Sequence, residues 1–216
     1  MRRYGWLTVF AIAMAYLESA VVVYLRALYY PRGFDFPLVL MPDNMVAVEV
    51  AREAATIVML FVAGRLGAAT GWQRFAGFMF LFGVWDIFYY VWLKVLLAWP
   101  ASLGTWDILF LIPVPWLGPV WAPIVISISL ILAALAIEHT VKRGRTIRVI
   151  VLERIALVAA GLLVILSFTL DWKLAMTGGT PERFPAAIFW AGEVMALAVL
   201  VSSYRRSRGA PRSAGS

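Results

Sequence analysis

Acidic residues lie inside segments of this sequence that are otherwise strongly apolar. Glu18, Glu53, Asp86 and Glu193 each fall roughly 12–18 Å from the same end of an apolar segment, counted at about 1.5 Å per helical residue. A charged side chain at the centre of a bilayer costs about 2.5–3.5 kcal/mol on insertion scales. Four unpaired acids would cost about 10 kcal/mol or more, comparable to the whole stability of a domain. We therefore expect these acids to face a common interior, where they pair, become hydrated, or bind a proton or a cation.

Three kinds of chemistry would use such acids. Carboxylate oxygens suit a hard divalent cation such as Ca²⁺, Mg²⁺ or Mn²⁺, so Glu18, Glu53, Asp86 and Glu193 are a candidate metal site. The same four residues could instead carry protons or cations, as carboxylates inside membranes often do. The third possibility is catalysis by Asp86 and Asp107, because two carboxyl groups that share a proton act as acid and base.

The two aspartates of the catalytic alternative lie in similar stretches, each with Trp-Asp-Ile two residues after a glycine, Gly83 or Gly104. Catalysis by the pair requires the segment around Asp107 to fold back into the membrane. Otherwise Asp107 lies at a possible helix start, where the helix dipole favours an acid. In that case the matching letters are a coincidence in a tryptophan-rich chain.

Basic and tyrosine side chains share helix faces with the acids. Glu49, Arg52 and Glu53 stand at i, i+3 and i+4, and Asp86, Tyr90 and Lys94 are spaced by four. Arg26, Arg52 and Lys94 would adjust the charge of the acids or hold an anionic group. The simpler alternatives are a local Glu49–Arg52 ion pair and a Lys94 side chain that extends to the membrane surface. The residues expected to line one cavity are Glu18, Arg26, Glu49, Arg52, Glu53, Asp86, Tyr90, Lys94 and Glu193.

The composition indicates a membrane protein. Of the 216 residues, 63% are hydrophobic and only 14% are charged, whereas a soluble domain is nearer half apolar and a quarter charged. The chain has no cysteine and a single histidine, His139. These counts exclude zinc–thiolate sites and haem held by two histidines, and no nucleotide-binding, serine-hydrolase or His-Glu-x-x-His motif is present.

The sequence predicts an all-α integral membrane protein with a six-helix transmembrane bundle as a single domain over residues 1–204. A spanning helix needs about 20 mainly apolar residues. A basic, disordered cytoplasmic tail is expected at 205–216, and a Gly-Gly-Thr-Pro turn at 178–181 precedes the last span. The predicted spans are about 6–28, 45–66, 75–98, 120–137, 147–170 and 181–204.

The segment between the third and fourth predicted spans, residues 99–119, has no Lys or Arg and is rich in proline and tryptophan. It is too apolar for an open loop and too rich in proline for a spanning helix. We therefore predict a short helix or a re-entrant segment on the extracytoplasmic surface, covered by protein or lining a cavity.

The distribution of basic residues predicts the orientation. Twelve Lys and Arg residues lie at one set of predicted ends and three in the opposite loops, which places both termini in the cytoplasm. The expected partners are the lipid bilayer and its anionic cytoplasmic headgroups, not nucleic acid, in an inner membrane of the bacterial or archaeal type. A cleaved signal peptide at the N-terminus is the less favoured alternative, because the apolar run continues to Leu28.

Three functions remain compatible with these patterns. The leading hypothesis is proton- or cation-coupled transport of a small solute. The alternatives are an intramembrane enzyme that uses the acids as a metal site or an acid/base pair, and a structural subunit whose acids pair with partner helices. No inverted repeat is evident in the sequence, although many transporters are built from one.

Overall fold

A computed structural model describes residues 2–31, 33, 34, 39, 41–177, 179 and 182–209. Within these residues the chain forms seven helices and two short strands. Their bounds are α1 Arg2–Tyr29, α2 Asp43–Arg65, α3 Gly71–Leu97, β1 Trp106–Phe110, β2 Trp116–Pro119, α4 Trp121–Lys142, α5 Val151–Thr169, α6 Trp172–Met176 and α7 Ala186–Gly209.

Five helical segments among the described residues are long and apolar enough to cross a membrane: α1, α3, α4, the segment Val151–Met176, and α7 over Ala186–Ser207. The prediction of a helical, polytopic membrane protein is confirmed at this level. The outer surface of α5 agrees with it, because its large apolar side chains, such as Leu152 and Val158, are exposed where lipid tails would replace water.

Helix α2 matches the second predicted span and has 23 residues, but it is not among the five apolar segments. It carries five charged residues, and three of them, Glu49, Arg52 and Glu53, lie close together in its first half. A sixth span therefore stays a prediction.

Several predicted boundaries shift. Helix α1 begins at Arg2, α5 begins at Val151 and α7 begins at Ala186. Helix α7 continues to Gly209, so residues 205–209 are helical and not part of a disordered tail. The remaining tail, 210–216, and most of the Gly-Gly-Thr-Pro turn lie outside the described residues.

Helix α3 is the centre of the packing. It contacts α1, α2 and α4, whereas α5 and α7 pair with each other and join the rest through α4 and β2. The end of the bundle where α1 and α3 finish and α2 and α4 begin is named the hairpin end. The opposite end, where α1 begins and α2 finishes, is named the Arg3 end.

Glycines allow the closest helix crossings. A Cβ atom on Gly64 of α2 would lie 2.6 Å from the backbone nitrogen of Phe78 in α3. A Cβ on Gly83 would lie 2.6 Å from the carbonyl oxygen of Ser127 in α4, and one on Gly192 would lie 2.7 Å from that of Ala160. Small residues at such crossings let helix backbones approach closely, which is how helices commonly pack in membranes.

The segment between α3 and α4 contains a β-hairpin, where the sequence predicted a short helix or a re-entrant segment. Strands β1 and β2 are antiparallel, with Asp107 opposite Gly118, and their register shifts between Ile108 and Phe110. Two features favour strands. The run Trp-Asp-Ile-Leu-Phe is rich in residues that fit sheets, and Pro113 and Pro115 fall in the turn between the strands, where no ladder donor is needed. The molecule is therefore mostly helical but not strictly all-α.

Candidate functional site

A cavity of about 570 Å³ lies between α1, α2 and α3 at the hairpin end. The hairpin and α6 complete its wall. Helices α1 and α2 make few direct contacts with each other, because the cavity lies between them. Its volume lies in the range of pockets that hold small molecules, and its lining mixes apolar and aromatic side chains with a few charged groups.

A chain of charged groups bridges α1 and α2 along the cavity. Arg52 forms an ion pair with Glu18 of α1, and its Nε lies 2.9 Å from Glu49 Oε2. The hydroxyl of Thr56 also donates a hydrogen bond to Glu18. Because Glu18 and Glu49 are both buried, this network compensates acids that would be costly alone in a membrane.

A second network joins α1, β1 and α3. Asp107 Oδ1 lies 3.6 Å from a guanidinium nitrogen of Arg26, and the Tyr90 hydroxyl donates a hydrogen bond of 3.2 Å to Asp107 Oδ2. The Arg26 guanidinium also lies over the Trp99 ring, 3.8 Å from its centroid. The predicted cap role of Asp107 at a helix start is wrong, because Asp107 lies in a strand, where it holds the hairpin against two helices.

Glu53 and Asp86 differ from these acids. Both oxygens of Glu53 accept hydrogen bonds from the backbone N–H of Leu111, at 3.1 and 2.9 Å, and Asp86 accepts one of 2.7 Å from the Ser127 hydroxyl. Within the described part of the chain, no Lys or Arg forms an ion pair with either carboxyl group. Both are buried, at 7% exposure each, and both line the cavity. Of the buried acids that line the cavity, Glu53 and Asp86 are therefore the two that form no ion pair with a described base, and the Arg52 charge acts on Glu53 only from beyond ion-pair distance.

Two residues expected in the cavity lie outside its lining. Lys94 Nζ donates to the carbonyl oxygens of Ala98 and Pro100, at 3.2 and 2.9 Å. Glu193 accepts a hydrogen bond of 2.9 Å from Ser129, between α7 and α4. The other predicted cavity residues, Glu18, Arg26, Glu49, Arg52, Glu53, Asp86 and Tyr90, do line one space.

The structure does not assemble the four-carboxylate metal set. Glu193 lies apart from Glu18, Glu53 and Asp86, and no group of three His, Cys, Asp or Glu among the described residues is placed to hold a metal ion. Asp86 and Asp107 both line the cavity, but each is hydrogen-bonded elsewhere and Asp107 already pairs with Arg26. The arrangement differs from a pair of aspartates that share one proton.

Several residues of the site were missed in the sequence. Ser127 and Ser129 each meet an acid of another helix, and their alternation in Ile-Ser-Ile-Ser was the available signal. Thr56 carried a weaker signal, three residues after Glu53 on the same helix. The backbone N–H of Leu111 carried none, because a main-chain donor becomes visible only when the hairpin is folded.

Comparison of the chain with protein-family models, with curated proteins and with solved structures finds no match. The class that fold and cavity define is a polytopic helical membrane protein with a buried, acid-lined cavity.

Proposed function

We propose that this protein binds a small solute in the cavity and carries it across the membrane in exchange for, or together with, protons bound at Glu53 and Asp86. The observation that carries the proposal is the pair of buried carboxyl groups in a solute-sized cavity with no basic partner among the described residues. Buried acids at membrane depth that do not pair with a base must bind a proton or a cation, which is the basis of proton relays.

The proposed topology has six spans, with α2 as the sixth, both termini in the cytoplasm and the hairpin end facing outward. At 23 residues, α2 is about 34 Å long, enough to cross a bilayer. Four of its five charged residues line the cavity, and the fifth, Arg65, lies in its last turn, which explains how a helix of low hydropathy could be a span.

We also propose that the hairpin re-enters the membrane, and the depth of its partners supports this. Tyr90, the donor to Asp107, lies about 10 Å before the end of α3, and Phe82, which stacks on Phe110, lies about 22 Å before it. Glu53, the acceptor for Leu111, lies about 15 Å from the start of α2. Such backbone is tolerated at membrane depth where protein covers it or where it lines a cavity.

Access from alternate sides is the step that transport adds to binding. The cavity lies at the hairpin end. The Arg3 end is closed by the Gly64–Gly77 crossing and by Arg3, whose guanidinium donates to the carbonyl oxygens of Gly64 and Leu66 at 2.6 and 2.9 Å. A carrier in this conformation would load its solute from the outer face. Release to the cytoplasm would then require α1 and α2 to separate at the Arg3 end.

The test uses purified protein in liposomes that contain a pH-sensitive dye. Three probes of different charge, tetraphenylphosphonium, benzoate and glucose, are added outside, and the internal pH is followed. The change in protein-free liposomes is subtracted, because benzoic acid crosses a bare bilayer and releases its proton inside. We expect at least one probe to drive a pH change with wild-type protein, and both Glu53→Gln and Asp86→Asn to abolish it. Glu193→Gln, which alters an acid outside the cavity, should retain it. A response to none of the probes, or one that survives both cavity substitutions, would overturn the proposal.

A further inference from the structure

We infer that the ligand of this cavity is an organic cation with an apolar body, such as a protonated amine, whose charge lies between Glu53 and Asp86. The inference rests on the proposed function, in that it takes the cavity to bind a solute, and it adds the chemical class of that solute.

The charge of the lining excludes an anion. Among the described residues, six acids and two arginines line the cavity. Both arginines are already occupied, Arg52 by Glu18 and Glu49, and Arg26 by Asp107. An anionic ligand would therefore meet no unpaired base among the described lining residues, and it would face the unpaired carboxyl groups of Glu53 and Asp86. A cationic ligand would supply the charge that these two groups lack.

The walls suit an organic cation better than a metal ion. Trp85, Tyr89, Tyr90 and Phe110 line the cavity together with aliphatic residues such as Val50. Aromatic rings attract cations that have lost their water. Arg26 already makes this kind of contact with Phe34 in the same wall.

The size of the cavity also favours an organic cation over a metal ion. A metal ion needs several oxygen ligands within a few ångströms, and no three acids among the described residues converge in this manner. A space of about 570 Å³ instead fits a molecule with an apolar body.

The natural chain has no cysteine, so a single introduced thiol reports on the cavity without background. Val50→Cys places a thiol in the lining, and Leu103→Cys places one on an exposed loop at the hairpin end as the matched control. Each variant is treated in liposomes with a cationic and an anionic methanethiosulfonate reagent of similar size. The ratio of the two rates at Leu103→Cys corrects for the intrinsic reactivity of the reagents.

We expect the cationic reagent to be favoured at Val50→Cys by about 10-fold or more after this correction, since clefts of one charge concentrate the opposite ion. Adding Glu53→Gln and Asp86→Asn to Val50→Cys should bring the ratio close to that of the control. Tetraphenylphosphonium should slow labelling of Val50→Cys, and benzoate should not. A corrected ratio near one, or one that the double substitution leaves unchanged, would overturn the inference.

The liposome pH assay separates this inference from the proposed function. If benzoate or glucose alone drives proton movement, transport stands and the cationic class is wrong. If Val50→Cys shows the charge preference but no probe moves protons, the cation site stands and transport is wrong.

Discussion

The two ends of the same three helices are built in opposite ways. At the Arg3 end, α2 and α3 cross so closely at Gly64 and Gly77 that neither could carry a Cβ atom without a shift. At the hairpin end, α1 and α2 diverge around a cavity, and polar side chains instead of close packing connect the helices. Close helix packing at the Arg3 end therefore stabilises the fold. At the hairpin end, a cavity lined by charged and polar side chains takes the place of close packing.

The hairpin end contains two kinds of acid. Glu18, Glu49 and Asp107 have arginine partners and connect structural elements. Glu53 and Asp86 accept hydrogen bonds only from uncharged donors among the described residues. Substitutions at the two ends should therefore separate stability from function.

The largest loss of stability is expected for Gly77→Ala, at the tightest helix crossing. The new methyl group would meet the backbone of Gly64 and the Arg3 side chain, and overpacking of this kind costs about 1–3 kcal/mol. Gly161→Ala in α5 is the matched control, because a Cβ there meets nothing within 4 Å. Thermal unfolding in detergent, followed by tryptophan fluorescence, should show a lower midpoint for Gly77→Ala only. Equal midpoints would show that the Arg3 end is not tightly packed.

Arg3→Ala should produce the next largest loss. Arg3 donates hydrogen bonds to the carbonyl oxygens of Gly64, Leu66 and Gln73, at 2.6, 2.9 and 3.2 Å. Leaving these acceptors without their charged donor costs about 1–3 kcal/mol. The neighbouring exposed Arg2 provides the control variant Arg2→Ala. If both substitutions lower the unfolding midpoint equally, the effect is one of total charge and not of these contacts.

Thr56→Val should cost less, about 1 kcal/mol, because it removes one hydrogen bond and keeps the shape of the side chain. The hydroxyl of Thr56 reaches Glu18 across the gap between α1 and α2. In the control Thr8→Val, the lost hydroxyl bonds only to a carbonyl of its own helix. A midpoint unchanged from the wild type would mean that this bridge does not hold α1 and α2 together.

The smallest change in stability is expected for Asp86→Asn and Glu53→Gln. The amide oxygens of the new side chains can still accept the hydrogen bonds from Ser127 and from the Leu111 N–H, and no ion pair is broken. We expect free energies of unfolding within about 1 kcal/mol of the wild type. Proton movement in the liposome assay should be lost completely. A large loss of stability in either variant would instead identify that acid as structural.

The sequence was sufficient to predict the class of fold and the lining of much of the cavity, for a physical reason. Acids are so costly in an apolar layer that their positions alone require a polar interior. This cost assigns Glu18, Glu53 and Asp86 to one shared space, and all three do line the cavity.

The sequence could not predict which acids would be paired. Spacing along α2 relates Arg52 to Glu49 and Glu53, but its second partner, Glu18, belongs to another helix. The sequence predicts a similar depth for Glu193 and for the cavity acids, but Glu193 accepts a hydrogen bond from Ser129 instead. Depth along a helix does not determine which neighbouring helix a side chain faces. The contribution of Arg3 was missed as well, because its basic charge explained its position at a membrane surface without any specific contact.

The most direct test of an outward-facing cavity is the accessibility of the Val50→Cys thiol from the two sides of the membrane. Right-side-out and inside-out vesicles are treated with a membrane-impermeant cationic thiol reagent. We expect fast labelling in right-side-out vesicles and little labelling in inside-out vesicles, because the cavity lies at the hairpin end, which the proposed topology places outside, and the Arg3 end is closed. Labelling mainly in inside-out vesicles, or in neither, would contradict the outward-open cavity on which the proposed function depends.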